Sequence, residues 1–310
     1  LDEKMEEAGV DVLLQTQFVD VIADGNRLSH LVIFNRSDMM AVPVKAVIDA
    51  TGNADVAFRS KCDTVRGRKR DGGTAPPSLI FHVYNVDQEA LMKGVLEIGD
   101  PKLRPLIRSL REKGIWDSPT DIFVCTQTPN NGEFFINNNA IFGGVDGTDG
   151  KSVAEALVTG RKQIRKLMEI YRSYFPGFKD ARLKAVAPQL GVRESRRICG
   201  DFMLKVEDLS KDRFFDDCIG FSMYGWDLGD PVTGKQVFAD DRASGLTYTV
   251  KKGLSTPLPY RMMIPKPVAN LICPGRAVSV EGQVLGPVRV MAPCMAMGEA
   301  AGVAVSQVVK

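Results

Sequence analysis

A run of very small side chains near the carboxyl end constrains this chain most. Ala296, Gly298, Ala300, Ala301, Gly302 and Ala304 crowd into one stretch, and Glu299 is the only charge in residues 293–309. A helix this bare lets another group come close. Its first turn offers N–H groups without intrahelical acceptors at the positive end of a dipole. Pro293 suits such a start, since a proline at the first helical position gives up no hydrogen bond. Just upstream lie Leu271-Ile-Cys-Pro-Gly-Arg276, read as a short buried strand and glycine turn, and a glycine-bearing loop over residues 280–286. Two readings stand: a helix start facing an anionic or electron-rich ligand, and a core helix packed on a sheet. No membrane span is expected, because Arg289 and Glu299 interrupt the run and it falls short of the ~20 apolar residues a span needs.

The 310 residues suggest about two domains. A hydrophobic share of 44% and a charged share of 25% fit a globular chain with a sizeable core. The net charge of +2 argues against a dedicated nucleic-acid binder. Six cysteines are scattered with no C-x-x-C pair, which fits neither a disulfide scaffold nor a zinc site and points to a reducing, cytoplasmic setting. With only His30 and His82 present, no metal centre is expected. The chain starts at Leu1 as if in mid-helix, so a preceding segment is expected and silence about targeting carries no weight.

In chain order, residues 1–8 read as a helix ended by Gly9, and residues 10–14 as a strand. Residues 18–23 and 28–35 form a hairpin across Asp24-Gly25-Asn26, with a further strand near 39–42. A buried strand over 44–50 runs into Thr51-Gly52, after which Asn53 is placed to cap a short helix. This is how a dinucleotide-binding domain ends, and no G-x-G-x-x-G follows a strand anywhere in the chain. Strands are then expected at 78–85, 123–128, 133–136, 183–188, 202–206 and 247–251. Asp87 and Asp100-Pro101 start helices that stop at Gly99 and Gly114, and Ser152-Val-Ala-Glu155 reads as a capping box opening the clearest helix.

Several residues carry candidate chemistry. The Ala50-Thr51-Gly52 turn lets backbone approach a ligand beyond a strand's carboxyl end, and Gly275-Arg276 makes a matching second turn. Arg193, Arg196 and Arg197 surround Glu194, either as an internal ion-pair knot or as paired donors for a substrate carboxylate or carbonyl. Arg261 beside Tyr260 and Arg289 before the terminal helix are further candidates. Cys294 sits where a helix start would lower a thiol pKa, with a small core residue as the alternative. His82 reads as a core histidine. Arg66-Gly-Arg-Lys-Arg70 reads as a solvated loop or a phosphate contact.

At Val47-Ile-Asp-Ala-Thr-Gly-Asn-Ala-Asp-Val56, Pro188-Gln-Leu-Gly-Val-Arg-Glu-Ser-Arg-Arg-Ile198, Pro259-Tyr-Arg261, Asn270-Leu-Ile-Cys-Pro-Gly-Arg276 and residues 286–302, the chain resembles the FAD-dependent oxidoreductase family, flavoproteins built like glutathione reductase and fumarate reductase. The likeness runs over nearly the whole chain. It implies an α/β fold: a partial Rossmann-like FAD-binding domain from residues 1–60 and 258–310, with an α+β substrate domain, 61–257, inserted between.

The resemblance also implies roles. Ala50, Thr51 and Gly52 would lie near the adenosine and pyrophosphate, and Gly275 and Arg276 at the pyrophosphate and ribityl chain of FAD. Gly286 and the helix start at Val290, Met291 and Cys294 would face the flavin pyrimidine ring. Arg193, Arg196, Arg261 and Arg289 would line the substrate side, polarising a small, carboxylate-bearing molecule while hydride passes to or from flavin N5; the electron partner stays open. Two departures count against full activity: the glycine-rich first unit is absent, and Gly282-Gln283 stands where relatives often carry His-Glu. A fragment of a flavin oxidoreductase, or a binding module that kept the fold without the cofactor, are the two functions expected.

Overall fold

The hairpin signal is met at its turn. Strands Gln17–Asp24 and Arg27–Phe34 pair antiparallel, and Asp24 faces Arg27 across the two-residue turn Gly25-Asn26. Gly25 takes φ 58°, a left-handed backbone that suits glycine. Strand Met39–Pro43 completes a three-stranded sheet. The computed structural model describes residues 1–309 except 70, 119, 211–212, 226, 231–238, 242–245 and 249–254.

The chain clusters into two compact units. The first comprises Leu1–Val65, Arg196–Tyr224 and Gly253–Lys310; the second comprises Arg66–Ser195 and Gly225–Lys252. Arg196–Tyr224, read from sequence as part of an insert, clusters with the first unit. Helix and strand are mixed throughout and the sheets are several and small, which makes the chain α/β in content.

In the first unit, Val47–Ile48 and Leu271–Ile272 pair in parallel, with Leu271 opposite Val47 and Ile272 opposite Ile48. They are joined over 220 residues of sequence by burial: Leu28, Val47, Ala57, Ile198, Leu271, Cys273 and Ala277 form one apolar cluster. Asn270 closes it. Its Oδ1 accepts from the Leu28 amide at 2.8 Å, and its Nδ2 donates to the carbonyls of Leu28 and Lys45 at 2.9 and 3.0 Å. A buried amide with both ends bonded fixes the hairpin to the two parallel strands.

In the second unit, a four-stranded antiparallel sheet runs Cys125–Gln127, Phe134–Ile136, Phe81–Tyr84, Arg182–Val186 in spatial order. The helices Gln88–Ile98, Arg104–Glu112 and Gly150–Tyr174 belong to the same unit. An aromatic core of Phe81, Trp116, Phe123, Tyr171, Phe175 and Phe178 fills it.

Local differences from the sequence reading have identifiable causes. Residues 10–13 form no strand, and Val10, Val12, Leu13 and Leu14 are exposed. Residues 202–205 form no strand either; a short helix, Val206–Ser210, follows them. The long helix starts at Gly150, because the Asp149 carboxylate accepts from the Ser152 amide at 2.7 Å and so takes the cap position. Ser152 Oγ accepts instead from the Asp146 amide at 2.9 Å. The strand read over residues 247–251 is described as Leu246–Tyr248, and its last three residues lie outside the described part.

Candidate functional site

The two parallel strands end side by side, and each runs into a turn with a left-handed glycine, Gly52 at φ 76° and Gly275 at φ 85°. The first turn is organised from below by Asp49, which is 1% exposed. Its Oδ1 accepts from the Thr51 amide at 3.1 Å and from Thr51 Oγ1 at 2.7 Å; its Oδ2 accepts from the Ala57 amide at 3.0 Å. Thr51 Oγ1 in turn accepts from the Asp55 amide at 3.0 Å, tying the start of helix Asp55–Arg59. Asn53 does not cap that helix, as the sequence suggested. Ala54 is the cap residue, in a left-handed conformation with no side-chain bond. The hydroxyl of Thr51 already meets the first free amide, which leaves the Asn53 side chain available for another partner.

That partner is Arg276. Its Nη2 donates to Asn53 Oδ1 at 2.9 Å, and its guanidinium lies flat against Gly52. Its Nε is buried and has no acceptor among the described residues. Burial pulls this guanidinium below the ordinary arginine range, partly opposed by Cys294 and Asp55, with Arg289 adding a like charge. Arginine still keeps its proton at neutral pH. A half-buried cation whose Nε has no acceptor among the described residues, beside two glycine turns, is chemically suited to an anion.

The terminal helix begins beside it. It runs Met291–Val309, two residues ahead of Pro293, so the proline falls inside the first turn, where its missing N–H still costs nothing. The Val290 carbonyl accepts from the Cys294 amide at 3.1 Å. Cys294 Sγ approaches the Val288 carbonyl at 3.8 Å. The sequence suggested a lowered thiol pKa here. Burial instead pushes the Cys294 thiol up, and Arg276 and Arg289 only partly pull it back. Gly286 is buried within the short helix Leu285–Val288.

This helix is not the core helix of the second sequence reading. Only Pro293, Met297 and Ala301 are buried, while Met291 and Met295 are 84% and 74% exposed. By length and composition alone its 19 residues are long and apolar enough to cross a membrane, a test that a helix of a globular protein can also pass.

Of the other predicted arginines, Arg196 bonds to the same turn, while Arg261 and Arg193 are engaged elsewhere. Arg196 donates to Asp55 Oδ1 at 2.8 Å and to the Asn53 carbonyl at 3.2 Å, with its guanidinium 4.0 Å from the Phe58 ring centroid. Arg261 grips both carboxylate oxygens of Asp217, at 3.1 and 3.0 Å. Arg193 belongs to the second unit, where it donates to the Pro76 carbonyl and to Ser78 Oγ. Glu194 accepts there from the Ala75 amide at 2.9 Å. Arg289 is the arginine that shares the field of Arg276 and Cys294.

A family model described as FAD dependent oxidoreductase matches residues 1–310. The chain belongs to that family. No curated protein matches the chain, and no solved structure does. Membership in the FAD dependent oxidoreductase family implies a flavin cofactor, and the residues around Arg276 fit an anionic one: the cation's Nε has no acceptor among the described residues, and the backbone at Gly275 is open, with nothing closer to a built β-carbon than Cys294 Sγ at 4.0 Å, while the Gly52 face is covered by the Arg276 guanidinium itself. Asp49, which orders the first turn, is not among the residues singled out from the sequence. The signal was present, an acid inside the apolar run Val47-Ile48-Asp49-Ala50, where only a fully bonded carboxylate is tolerated.

Proposed function

We propose that this chain is a flavin oxidoreductase whose cofactor pyrophosphate is held at the ends of the strands Val47–Ile48 and Leu271–Ile272. The observation that carries the reading is Arg276: a half-buried guanidinium bonded to Asn53, whose Nε has no acceptor among the described residues, beside two left-handed glycines. Arg276 would hold the phosphate oxygens, and Asn53 would keep its guanidinium plane fixed. Thr51 and Gly52 would follow the adenosine side, in the manner of ligands bound beyond the carboxyl ends of parallel strands.

When bound, FAD supplies hydride transfer at N5. The chain's own residues prepare for that in three ways. The first turn of helix Met291–Val309 would offer amide N–H groups and the positive dipole end to an electron-rich ring. Arg289 adds positive charge beside that turn and is the arginine best placed to orient a small carboxylate-bearing substrate. Burial favours the neutral form of the Cys294 thiol beside the anion site, with Arg276 and Arg289 opposing it.

The test is anaerobic. The chain is loaded with FAD and mixed with a panel of small carboxylates bearing an oxidisable C–H, and the visible flavin band is followed. Bleaching by one class, lost in Arg289→Ala with FAD retained, is the expected result. Loading with FAD but no bleaching by any reductant class, dithionite excepted, would refute the oxidoreductase reading.

A further inference from the structure

The turn that carries Asn53 is held under strain. Gly52 and Ala54, on either side of Asn53, both take left-handed backbones, at φ 76° and 54°. Glycine accepts that conformation freely, but alanine does so at a cost, and such a residue persists only where its surroundings fix it. The far side of Ala54 is fixed by the helix that follows. The Ala54 carbonyl accepts from the Phe58 amide at 2.8 Å, and the Asp55 amide donates to Thr51 Oγ1 at 3.0 Å. The near side, the carbonyl of Asn53, is fixed by Arg196.

Arg196 opens the strand Arg196–Ile198, 143 residues beyond Asn53 but in the same compact unit. Its Nη1 donates both to the Asn53 carbonyl, at 3.2 Å, and to Asp55 Oδ1, at 2.8 Å. Its guanidinium lies 4.0 Å from the centroid of the Phe58 ring, within cation–π range. The side chain is only 16% exposed. All three contacts go to the turn or to the helix behind it. Asn53 is therefore gripped twice: Arg196 holds its main-chain carbonyl, and its Oδ1 accepts from Arg276 Nη2 at 2.9 Å. The sequence reading had Arg196 on the substrate side; its bonds tie it to the Asn53 turn instead.

We propose that Arg196 is a positioning residue for the anion site: it fixes the main chain at Asn53, Asn53 Oδ1 sets the plane of the Arg276 guanidinium, and Arg276 alone of the two meets the phosphate. The proposal rests on the flavin reading above and adds to it a second arginine that serves the cofactor without touching it. An arginine that acted by its charge alone would contribute independently of Arg276. One that acts through Asn53 has nothing left to position once Arg276 is gone, so the two losses do not add.

The test is a double-mutant cycle on the whole chain, with dissociation constants for FAD and riboflavin read by flavin fluorescence. Arg196→Met should lower the preference for FAD over riboflavin by about fivefold, with riboflavin affinity unchanged. In an Arg276→Gln background the same substitution should move that preference by less than about twofold. Asp55→Ala loosens Arg196 without removing it, and so decides the matter even if Arg196→Met fails to fold. It deletes a negative charge, which by charge alone would tighten binding of an anion; the expected result is the opposite, a fall in the preference for FAD. Additive losses in the cycle, an unchanged preference in Arg196→Met, or no fall in Asp55→Ala would each overturn the proposal and leave the flavin reading intact. A wild-type chain with no preference for FAD would remove that reading, and the proposal with it.

Discussion

The guanidinium of Arg276 lies against the α-carbon of Gly52 so closely that a β-carbon built there would fall 2.9 Å from Cζ. Gly52 also sits at φ 76°, where an L side chain is strained. Gly52→Ala should therefore cost ~1–3 kcal/mol from backbone strain alone, and displace Arg276 besides. Urea unfolding measures the first effect and FAD titration the second. A variant unchanged in both would show that the turn and the arginine are not coupled.

Asp49 predicts a different loss. Asp49→Asn keeps one acceptor for Thr51 but turns an amide N–H₂ toward the Ala57 amide, donor against donor. A cost of ~1–3 kcal/mol is expected, with faster hydrogen exchange at the Ala57 amide. Exchange at Ala57 as slow as in the wild type would contradict the role given to Oδ2.

Cys294 reports on the charges near it. Burial raises its pKa and Arg276 opposes the rise, so Arg276→Gln should raise it further and shrink the thiolate fraction. Alkylation of Cys294 by iodoacetamide at neutral pH, read by peptide mass spectrometry, should slow in the variant. Faster alkylation would mean that the arginine's main effect there is packing.

The buried thiols set the alkaline limit. Burial raises the pKa of Cys62, Cys199, Cys273 and Cys294, and pushes Cys125 up to about 11. In the unfolded chain these thiols lose protons from about pH 8.5, while in the folded chain they keep them. The folded state then binds more protons, so stability is full below about pH 8.5 and falls as pH rises toward the folded values. Urea midpoints across that window should decline, and Cys125→Val should flatten the slope. Acid works the opposite way: Lys184 and Asn130 hold Glu133 below the usual carboxylate range, so its contribution is present above the unfolded pKa and lost as pH falls.

Much of the fold was legible where local chemistry decides it. Asp24-Gly25-Asn26 marked the hairpin and Asp87 the helix it caps, because turn and cap preferences act within a few residues. The pairing of Gly52 with Gly275-Arg276 was legible too, because both turns follow short apolar strands. The partners of Arg196 and Arg261 were not. Asp55 and Asp217 lie 141 and 44 residues away in sequence, and spacing says nothing about which acid folds onto which base. The exposure of helix Met291–Val309 was equally hidden, since an apolar run looks the same in sequence whether or not anything covers it.

Whether Arg276 anchors a phosphate is tested most directly by one comparison. Binding of FAD and of riboflavin, which lacks the pyrophosphate, is measured by flavin fluorescence with the wild-type chain and Arg276→Gln. FAD should bind more tightly than riboflavin to the wild type, and the variant should lose that advantage by about tenfold or more, as expected for one charge-assisted contact, with riboflavin unaffected. If the variant binds FAD as the wild type does, or if the wild type does not prefer FAD to riboflavin, the anchor is elsewhere and the site assigned here is wrong.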